Sequence, residues 1–318
     1  MNLEKFPLVS IITPTFNQAE YLAETIESVL IQDYPNIQYI VIDDGSTDST
    51  VEVLKKYGSR VNWFTQTNAG QANTLNRGWQ MCAGVYIGYL SSDDLLFPQA
   101  ISKLVNFLQN DASVCMVYPN CDLIDPKSFV IKKRVCREFD YDLLVVGQEC
   151  HIGPGALFRR EQYEIVGGWK PNLRLAPDRE FWMRLGKHGR IAMLDEVLAG
   201  YRMHPKSISY FETNPRVAEE YLVVLDDFFN QKNVPSRLVD RKIEAYSNAI
   251  LILARAHFRN FHITEGFAKY KEAVTIYPPN RSFRTIILLT RSIISKPIRR
   301  FIWVLTTFAK RFTRNNDA

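Results

Sequence analysis

The 318-residue sequence lacks several signatures that would assign it to a common class. No GxGxxG follows the first predicted strand and no GxxxxGKS/T occurs anywhere, which argues against a dinucleotide-dependent dehydrogenase and a P-loop kinase. No low-complexity tract or repeat array is visible. The first residues show no basic region followed by an apolar run and a cleavage site, so we expect no secretory signal.

Cysteine is scarce and has no pairing pattern. The cysteines are odd in number, widely spaced and free of any CxxC, which predicts reduced cytosolic thiols and neither a disulfide framework nor a zinc site. They are Cys82, Cys115, Cys121, Cys136 and Cys150.

Net positive charge is confined to the C-terminal part of the chain. Residues 281–318 hold nine Lys/Arg and one Asp, a net of +8, which leaves −3 for residues 1–280 of a chain whose total is +5. A slightly acidic body argues against a nucleic-acid partner, whereas a basic and apolar tail favours an anionic surface.

A membrane-spanning run is absent as well. Residues 282–314 are apolar but interrupted by Arg and Lys and broken at Pro297, so no uncharged run reaches the roughly 18–20 residues that a spanning helix needs. Each half is typical of a basic amphipathic helix on an anionic cytoplasmic leaflet. We therefore expect a cytoplasmic protein that is peripheral on the membrane through this tail. The alternative is a C-terminal helix packed on the domain.

What the first 120 residues do contain is a regular alternation of strands and helices. Asn17 and Glu20 are spaced as a capping box for the first helix. The alternation predicts an α/β fold with a mostly parallel sheet flanked by helices. We predict strands at 8–16, 37–42, 61–66, 85–90 and 114–120, and helices after Asn17, from about Thr47, at 71–83 and at 98–110.

Polar segments follow four of these strands: TPTFN, DDGS, QTNAGQ and SSDD. Because ligands of such sheets bind beyond the carboxyl ends of the strands, we expect the four segments to converge on one edge. The carboxylates of SSDD suit Mg²⁺ or Mn²⁺, with a diphosphate supplying the remaining oxygens. Alternatively, Ser92 or Asp94 only caps a turn.

The regular alternation of predicted strands and helices does not continue after Cys150. A helix is predicted from Pro177 to about Lys187, and residues 215–275 read as helical throughout, with a helical hairpin over 249–280. This predicts a C-terminal helical extension of the α/β domain.

Three long stretches resemble glycosyltransferase family 2: SIITPTFNQAEYLAETIESVLIQDYPNIQYIVIDDGSTDST, NAGQANTLNRGWQMCAGVYIGYLSSDD and PDREFWMRL. The resemblance spans residues 8–210. It implies an inverting, nucleotide-sugar-dependent enzyme with a GT-A type, Rossmann-like fold. The domains implied are 1–212 for catalysis (1–120 binding the nucleotide sugar, 121–212 the acceptor), 213–280 as helical extension and 281–318 as membrane-association tail.

The resemblance assigns residues to the donor. Asp44 would accept the uracil N3–H or a ribose contact, supported by Asp43, since a carboxylate only accepts hydrogen bonds; the alternative is turn chemistry. Asn76 and Arg77 would face the diphosphate or sugar, although Arg77 could be a solvated helix charge. The other implied donor residues are Thr13, Pro14, Thr15, Asn17, Glu20, Asn68, Gly70, Gln71, Ser92 and Asp93.

The resemblance also implies a metal site with one unusual position. The family motif Asp-any-Asp is Ser91-Ser92-Asp93 here, so Asp93 would be the direct ligand and Asp94 a supporting or acceptor-side group. A lost carboxylate predicts weaker metal affinity. His204, in YRMHPKSIS, would be a further ligand or diphosphate contact; the alternative is a structural histidine.

The implied catalytic base is Asp178, in the first turn of a helix whose dipole should lower its pKa. The alternative is that Asp178 is an ordinary aspartate at a helix N-terminus with no catalytic role. Glu180 is the second candidate for the base. Trp169 and Trp182 would stack on sugars on the acceptor side, with core packing equally expected for Trp182.

The function implied is transfer of a sugar from a nucleoside-diphosphate sugar, with UDP favoured, to a hydroxyl of a glycan or lipid-linked saccharide in bacterial cell-surface polysaccharide biosynthesis. Two alternatives remain. A nucleotidyltransferase would need a Gly-rich loop with Arg or Lys after the first strand, which TPTFNQAE lacks. A non-catalytic sugar- or lipid-binding protein with a decayed site stays open because of Ser91.

Overall fold

The computed structural model describes residues 6–204, 207 and 214–293. The chain divides into two compact units, one within residues 1–144 and 149–211 and the other within 145–148 and 212–318.

The first unit is built on one nine-stranded mixed sheet. Its strands are β1 Val9–Thr15, β2 Ile37–Asp43, β3 Asn62–Thr65, β4 Tyr86–Tyr89, β5 Leu95–Leu96, β6 Val114–Ile124, β7 Val130–Lys132, β8 Leu157–Arg159 and β9 Arg190–Arg202. Their order in the sheet is β3-β2-β1-β4-β8-β6-β9-β5, and β7 pairs with β6.

The amino-terminal half of this sheet is parallel, as predicted. β1 pairs in parallel with β2 and β4, and β2 pairs in parallel with β3. Every residue of β1 is buried, which is the pattern of a strand covered on both faces. The predicted α/β fold is therefore confirmed. β8 runs antiparallel to β4 and β6, so the sheet as a whole is mixed.

The longer helices of this unit bury apolar residues on one face. On α1, that face is Leu22, Ile26 and Val29, all buried. On α3, Gly78 allows close approach, since a Cβ there would lie 2.5 Å from a methyl of Ile12. The helices of this unit are α1 Leu22–Leu30, α2 Thr50–Tyr57, α3 Gln71–Gln80, α4 Ala100–Asn110, α5 Tyr141–Val145, α6 Arg160–Val166 and α7 Pro177–Leu185.

The predicted capping box at Asn17 is wrong. Helix α1 begins at Leu22 after Tyr21, and Asn17 has a φ of +54° and caps the neighbouring loop instead. Helix α4 likewise begins at Ala100, two residues after Pro98, because Gln99 has a left-handed backbone with φ of +67°. Helix α3 ends at Gln80, three residues earlier than predicted.

The strand β6 is longer than predicted, and β9 has no counterpart among the predicted strands. β6 extends to Ile124 and β9 covers thirteen residues; the two pair in parallel as far as Ile124 with Arg202. The backbone hydrogen bonds between these two strands form whether a residue is polar or apolar. The apolar pattern of the sequence therefore does not indicate where the strands end.

The second unit is helical, but residues 215–275 are not one continuous helix. Its helices are α8 Pro215–Ala218, α9 Glu220–Phe229, α10 Ser236–Val239, α11 Lys242–Arg259 and α12 Ile263–Ile276. α11 and α12 form the predicted hairpin, tied by a bond from Ser247 Oγ to the Ala273 carbonyl (2.9 Å).

Helical structure resumes over residues 283–293. The rest of the predicted basic tail, 294–318, lies outside the described residues. No helix of the described part of the chain is long and apolar enough to cross a membrane.

Candidate active site

The carboxyl ends of the first strands meet, as the parallel topology requires. The Asp44 N–H donates to the Thr15 carbonyl (2.8 Å), which joins the end of β2 to the end of β1. Asp43 accepts from the Thr65 hydroxyl at the end of β3 (2.7 Å). The predicted convergence of polar segments on one edge is confirmed for these strands.

Asp43 and Asn17 hold the turn that follows β2. Asp43 is fully buried and accepts from the Ser46 N–H (3.2 Å) in addition to Thr65. Asn17 Oδ1 accepts from the N–H groups of Thr47 (2.7 Å) and Asp48 (3.2 Å). Both side chains thus shape the loop around Asp44.

Asp44 organises a second loop, residues 66–70. Its Oδ1 accepts from the Ala69 N–H and from Gln66 Nε2, both at 2.8 Å, and its Oδ2 accepts from the Gly70 N–H at 2.9 Å. Gly70, with φ of +86°, directly precedes α3. The carboxylate that the family resemblance assigns to the nucleotide base thus fixes the loop that carries Asn68 and leads to Gln71, the first residue of α3; both side chains are exposed.

Arg77 and Asn76, neighbours on α3, have different environments. The Arg77 guanidinium lies over the Phe64 ring (4.6 Å) and donates to Gln66 Oε1 (2.7 Å), and its side chain is exposed. The Asn76 amide is bound by the protein itself: it donates to the Trp169 carbonyl (2.7 Å) and accepts from the Trp169 N–H (2.8 Å). Asn76 positions Trp169, whereas Arg77 faces solvent beside the 66–70 loop.

The residues of β1 predicted for the nucleotide pocket are buried. Thr13 Oγ1 pairs with the Tyr39 hydroxyl (3.0 Å), and Pro14 lies within the ladder opposite Ile42. Thr15 Oγ1 has no hydrogen-bond partner among the described residues, which leaves a polar atom at the strand end for a ligand. Glu20 is exposed.

The two predicted metal ligands meet beyond β4. His204 Nε2 lies 2.8 Å from Asp93 Oδ2; the His204 side chain is fully buried and that of Asp93 is 17% exposed. The Tyr21 ring packs on the imidazole at 4.6 Å. Burial and the Glu20 carboxylate raise the pKa of Tyr21 to about 12.

Arg202 is the residue at this site that the sequence reasoning missed. It is fully buried, and its Nε donates to the Asp93 carbonyl (2.6 Å), its Nη2 to Glu24 (2.7 Å) and its Nη1 to Ser128 Oγ (2.9 Å). The Tyr-Arg-any-His segment contained the signal, since it places Arg202 only two residues before the predicted ligand His204. Arg202 thereby joins the SSDD segment to α1 and to the β6–β7 turn.

Asp94 is turned inward. Its Oδ1 accepts from the Arg202 N–H (2.8 Å), and burial, followed by the Asp93 charge, holds the pKa of Asp94 well above its usual range. Ser92 is buried, and Ser91 is half-buried and accepts from the Asp94 N–H (3.1 Å). The adjacent carboxylates thus diverge, with Asp93 partly open to solvent.

Asp178 lies in the first turn of α7, after Pro177, and accepts from the Arg179 N–H (2.7 Å). The prediction that its pKa is lowered is wrong in direction: burial raises the pKa of Asp178, because lost hydration outweighs the Arg179 contacts. The Asp178 charge acts on Tyr89, at the end of β4, whose pKa is raised well above its usual range by burial, then by Asp178 and Asp94.

The second candidate for the base, Glu180, forms ion pairs with two basic residues. It is buried between Arg184 (2.7 Å) and Lys170 (3.1 Å). Trp182 is a core residue, as its helical position predicted. Trp169 is buried against Tyr89 (5.2 Å between rings), and its Nε1 has no hydrogen-bond partner among the described residues.

Comparison with known proteins decides the family. Residues 10–166 match the model of glycosyl transferase family 2. An uncharacterized glycosyltransferase of Rickettsia typhi is 32% identical over 232 residues, which cover 71% of this chain and 72% of the relative. The chain belongs to glycosyltransferase family 2. It is therefore a transferase, as the motifs implied.

Longer synthases of this family are also similar. Chondroitin synthase of Escherichia coli is 26% identical over 226 residues, which cover 70% of this chain and 33% of the synthase. The similarity thus extends over only a third of that larger protein.

Solved structures confirm the GT-A fold. S. aureus TarS 1–349 in complex with UDP-GlcNAc superimposes with a TM-score of 0.66 at 17% identity, covering 91% of this chain and 88% of TarS. The mannosyltransferase PcManGT from Pyrobaculum calidifontis, in complex with GDP-Man and Mn²⁺, gives 0.58 at 19% identity, covering 93% and 83%.

Proposed function

We propose that this family 2 glycosyltransferase is an inverting enzyme that uses a nucleoside-diphosphate sugar, with UDP as the nucleotide. The observation that carries the proposal is the contact of Asp93 with His204 at the carboxyl end of the parallel strands, where a donor diphosphate would bind. The UDP-GlcNAc complex of TarS supports the choice of nucleotide.

The side chains of Asp93 and His204 fit a divalent cation. A partly exposed carboxylate beside an imidazole suits Mn²⁺ or Mg²⁺, and the Mn²⁺ complex of PcManGT supports this assignment. The described residues hold no group of three or more His, Cys, Asp or Glu side chains arranged for a metal, so Asp93 and His204 would bind it together with the diphosphate. When bound, the cation would neutralise charge on the leaving phosphate.

The protein's own groups would position the reactants. The loop at 66–70, held by Asp44, and the exposed Arg77 border the donor side, where a guanidinium can pair with phosphate oxygens. The unpartnered Thr15 hydroxyl supports nucleotide binding at the end of β1.

Asp178 would act as the general base that takes the proton from the acceptor hydroxyl. Its raised pKa makes the ionised carboxylate a stronger base than an exposed Asp. The attacking hydroxyl then displaces the nucleoside diphosphate in one step, which inverts the anomeric centre. Tyr89, on whose pKa the Asp178 charge acts, and Trp169, in ring contact with Tyr89, are the acceptor-side aromatic residues of the proposal.

The acceptor proposed is a glycan or lipid-linked saccharide of a bacterial cell-surface polysaccharide, in line with the similarity to chondroitin synthase. We also propose a peripheral position on the cytoplasmic face of the membrane through residues 281–318. Deleting residues 282–318 and fractionating cells tests this; a truncated enzyme that still sediments fully with membranes contradicts it.

A donor panel tests the activity. The protein is incubated with individual nucleotide sugars and Mn²⁺, and released UDP is measured with and without candidate acceptors. Release from at least one UDP-sugar is the expected result. No release from any donor, together with no calorimetric signal for UDP, contradicts the proposal.

A further inference from the structure

The strand β7 and the residue before it expose three consecutive large apolar side chains. Phe129, Val130 and Ile131 are 68%, 48% and 55% exposed. Single exposed apolar residues need no explanation, but a contiguous run of three is unusual on a folded domain unless it binds something.

Lysines flank this run on both sides. Lys127 precedes it, and Lys132 and Lys133 follow it; all three are exposed. None of their side chains forms an ion pair with a described residue, whereas the next basic residue, Arg134, is paired with Asp195. Residues 127–133, here called the basic hairpin, contain three Lys and no acid, so the segment itself carries a net charge of +3.

The turn before β7 holds these side chains outward. Asp125 Oδ1 accepts from the N–H groups of Lys127 (2.8 Å) and Phe129 (3.0 Å). Ser128, with φ of +66°, donates to Glu24 (2.6 Å). Turning the apolar side chains inward would break these bonds, so the exposure is a feature of the folded turn.

We propose that the basic hairpin docks on an anionic lipid surface. Phe129 and Ile131 insert among the headgroups, while the lysines lay their stems along the interface and reach the phosphates. The positive charge of the three lysines favours a negatively charged lipid surface as the binding partner. The apolar side chains of Phe129, Val130 and Ile131 fall well short of the roughly 800 Å² that each partner of a stable protein interface buries.

Arg202 connects this surface to the candidate active site. Its Nη1 donates to the Asp125 carbonyl (3.2 Å) in the turn, and its Nε donates to the Asp93 carbonyl. Docking would therefore bring the Asp93 end of the sheet next to the lipid. The proposal goes beyond the proposed reaction and does not depend on it, because lipid binding is measured without turnover.

Charge reversal tests the electrostatic part. The full-length protein is sedimented with phosphatidylcholine vesicles with and without added phosphatidylglycerol. Lys132→Glu/Lys133→Glu is expected to lower the partition coefficient on anionic vesicles about tenfold or more. The matched control is Lys55→Glu/Lys56→Glu, the same charge change on exposed positions of α2. An equal loss in both variants overturns the proposal.

A local probe separates the hairpin from the C-terminal tail. Phe129→Trp is expected to add a blue-shifted emission on anionic vesicles that brominated lipids quench. Ile165→Trp, at a 61% exposed position on α6, is expected to add none. The proposal is overturned if both variants behave alike while the protein is vesicle-bound. It is also overturned if the lipid-free protein is a dimer that Phe129→Ser converts to a monomer, because the surface then joins two chains.

Discussion

The imidazole of His204 contacts the carboxylate of Asp93 at 2.8 Å, although 111 residues separate the two in sequence. One member is buried and the other is partly exposed, so the pair presents a single carboxylate edge to the crevice. The same contact makes the proposed metal site testable with single substitutions.

Asp93→Asn is expected to weaken Mn²⁺ binding in the presence of UDP by at least about tenfold, since the substitution removes the anionic oxygen ligand of the pair. Free Mn²⁺ measured by electron paramagnetic resonance checks this. Glu52→Gln, an exposed carboxylate on α2, should leave the affinity unchanged. Unaltered Mn²⁺ binding by Asp93→Asn would show that the cation is held elsewhere.

Ser91→Asp is expected to tighten Mn²⁺ binding, because it adds the acid that the family motif carries at this half-buried position. The control is Ser91→Asn, because asparagine has the shape of aspartate without its charge. Calorimetric titration of both variants with Mn²⁺ and UDP decides the point. Weaker binding by the aspartate variant would mean that repulsion from Asp93 and Asp94 outweighs the added ligand.

Asp178→Asn is expected to reduce sugar transfer by about 10²–10⁴-fold, the usual contribution of a general base, while UDP binding stays near normal. Single-turnover transfer and calorimetry measure the two quantities separately. Loss of UDP binding instead would place Asp178 in the donor site and leave the base unassigned.

The raised pKa of Asp178 predicts a pH dependence of both rate and stability. The protonated acid cannot accept a proton, so transfer should fall with decreasing pH at a higher pH than the ordinary Asp value of about 3.9. The folded state binds this proton more tightly than the unfolded state, so ionisation lowers stability as pH rises.

Asp178→Asn should therefore stabilise the protein against urea at about pH 8 and less so at about pH 4. Such a gain at the expense of activity is common at functional sites. An equal effect at both pH values would contradict the raised pKa.

Arg202→Lys is expected to cost about 2–4 kcal/mol of unfolding free energy, because lysine keeps the charge but cannot reproduce the buried fork of donors. Urea denaturation measures this. Arg60→Lys, in an exposed pair with Glu27, should cost less than about 0.5 kcal/mol. Similar values for both variants would show that the Arg202 contacts contribute little.

Local sequence determined the elements that meet at the site. The buried strands β1 and β2 and the polar residues after them could be read from apolar runs and turn residues, because these signals depend on neighbours in the chain. The parallel alternation then required the carboxyl ends to share an edge. The adjacency of Asp43, Asp44 and the 66–70 loop followed from topology alone.

What each side chain does there was decided by tertiary structure. Asn76 was expected at the donor, yet it binds the Trp169 backbone 93 residues away. Arg202 was overlooked because its partners Asp93, Glu24 and Ser128 come from three separate segments. The pKa of Asp178 is raised by burial, whereas the position of Asp178 in a helix's first turn predicted a lowered pKa. Burial and hydrogen-bond partners arise only when distant segments pack, so they leave no local pattern from which a role can be derived.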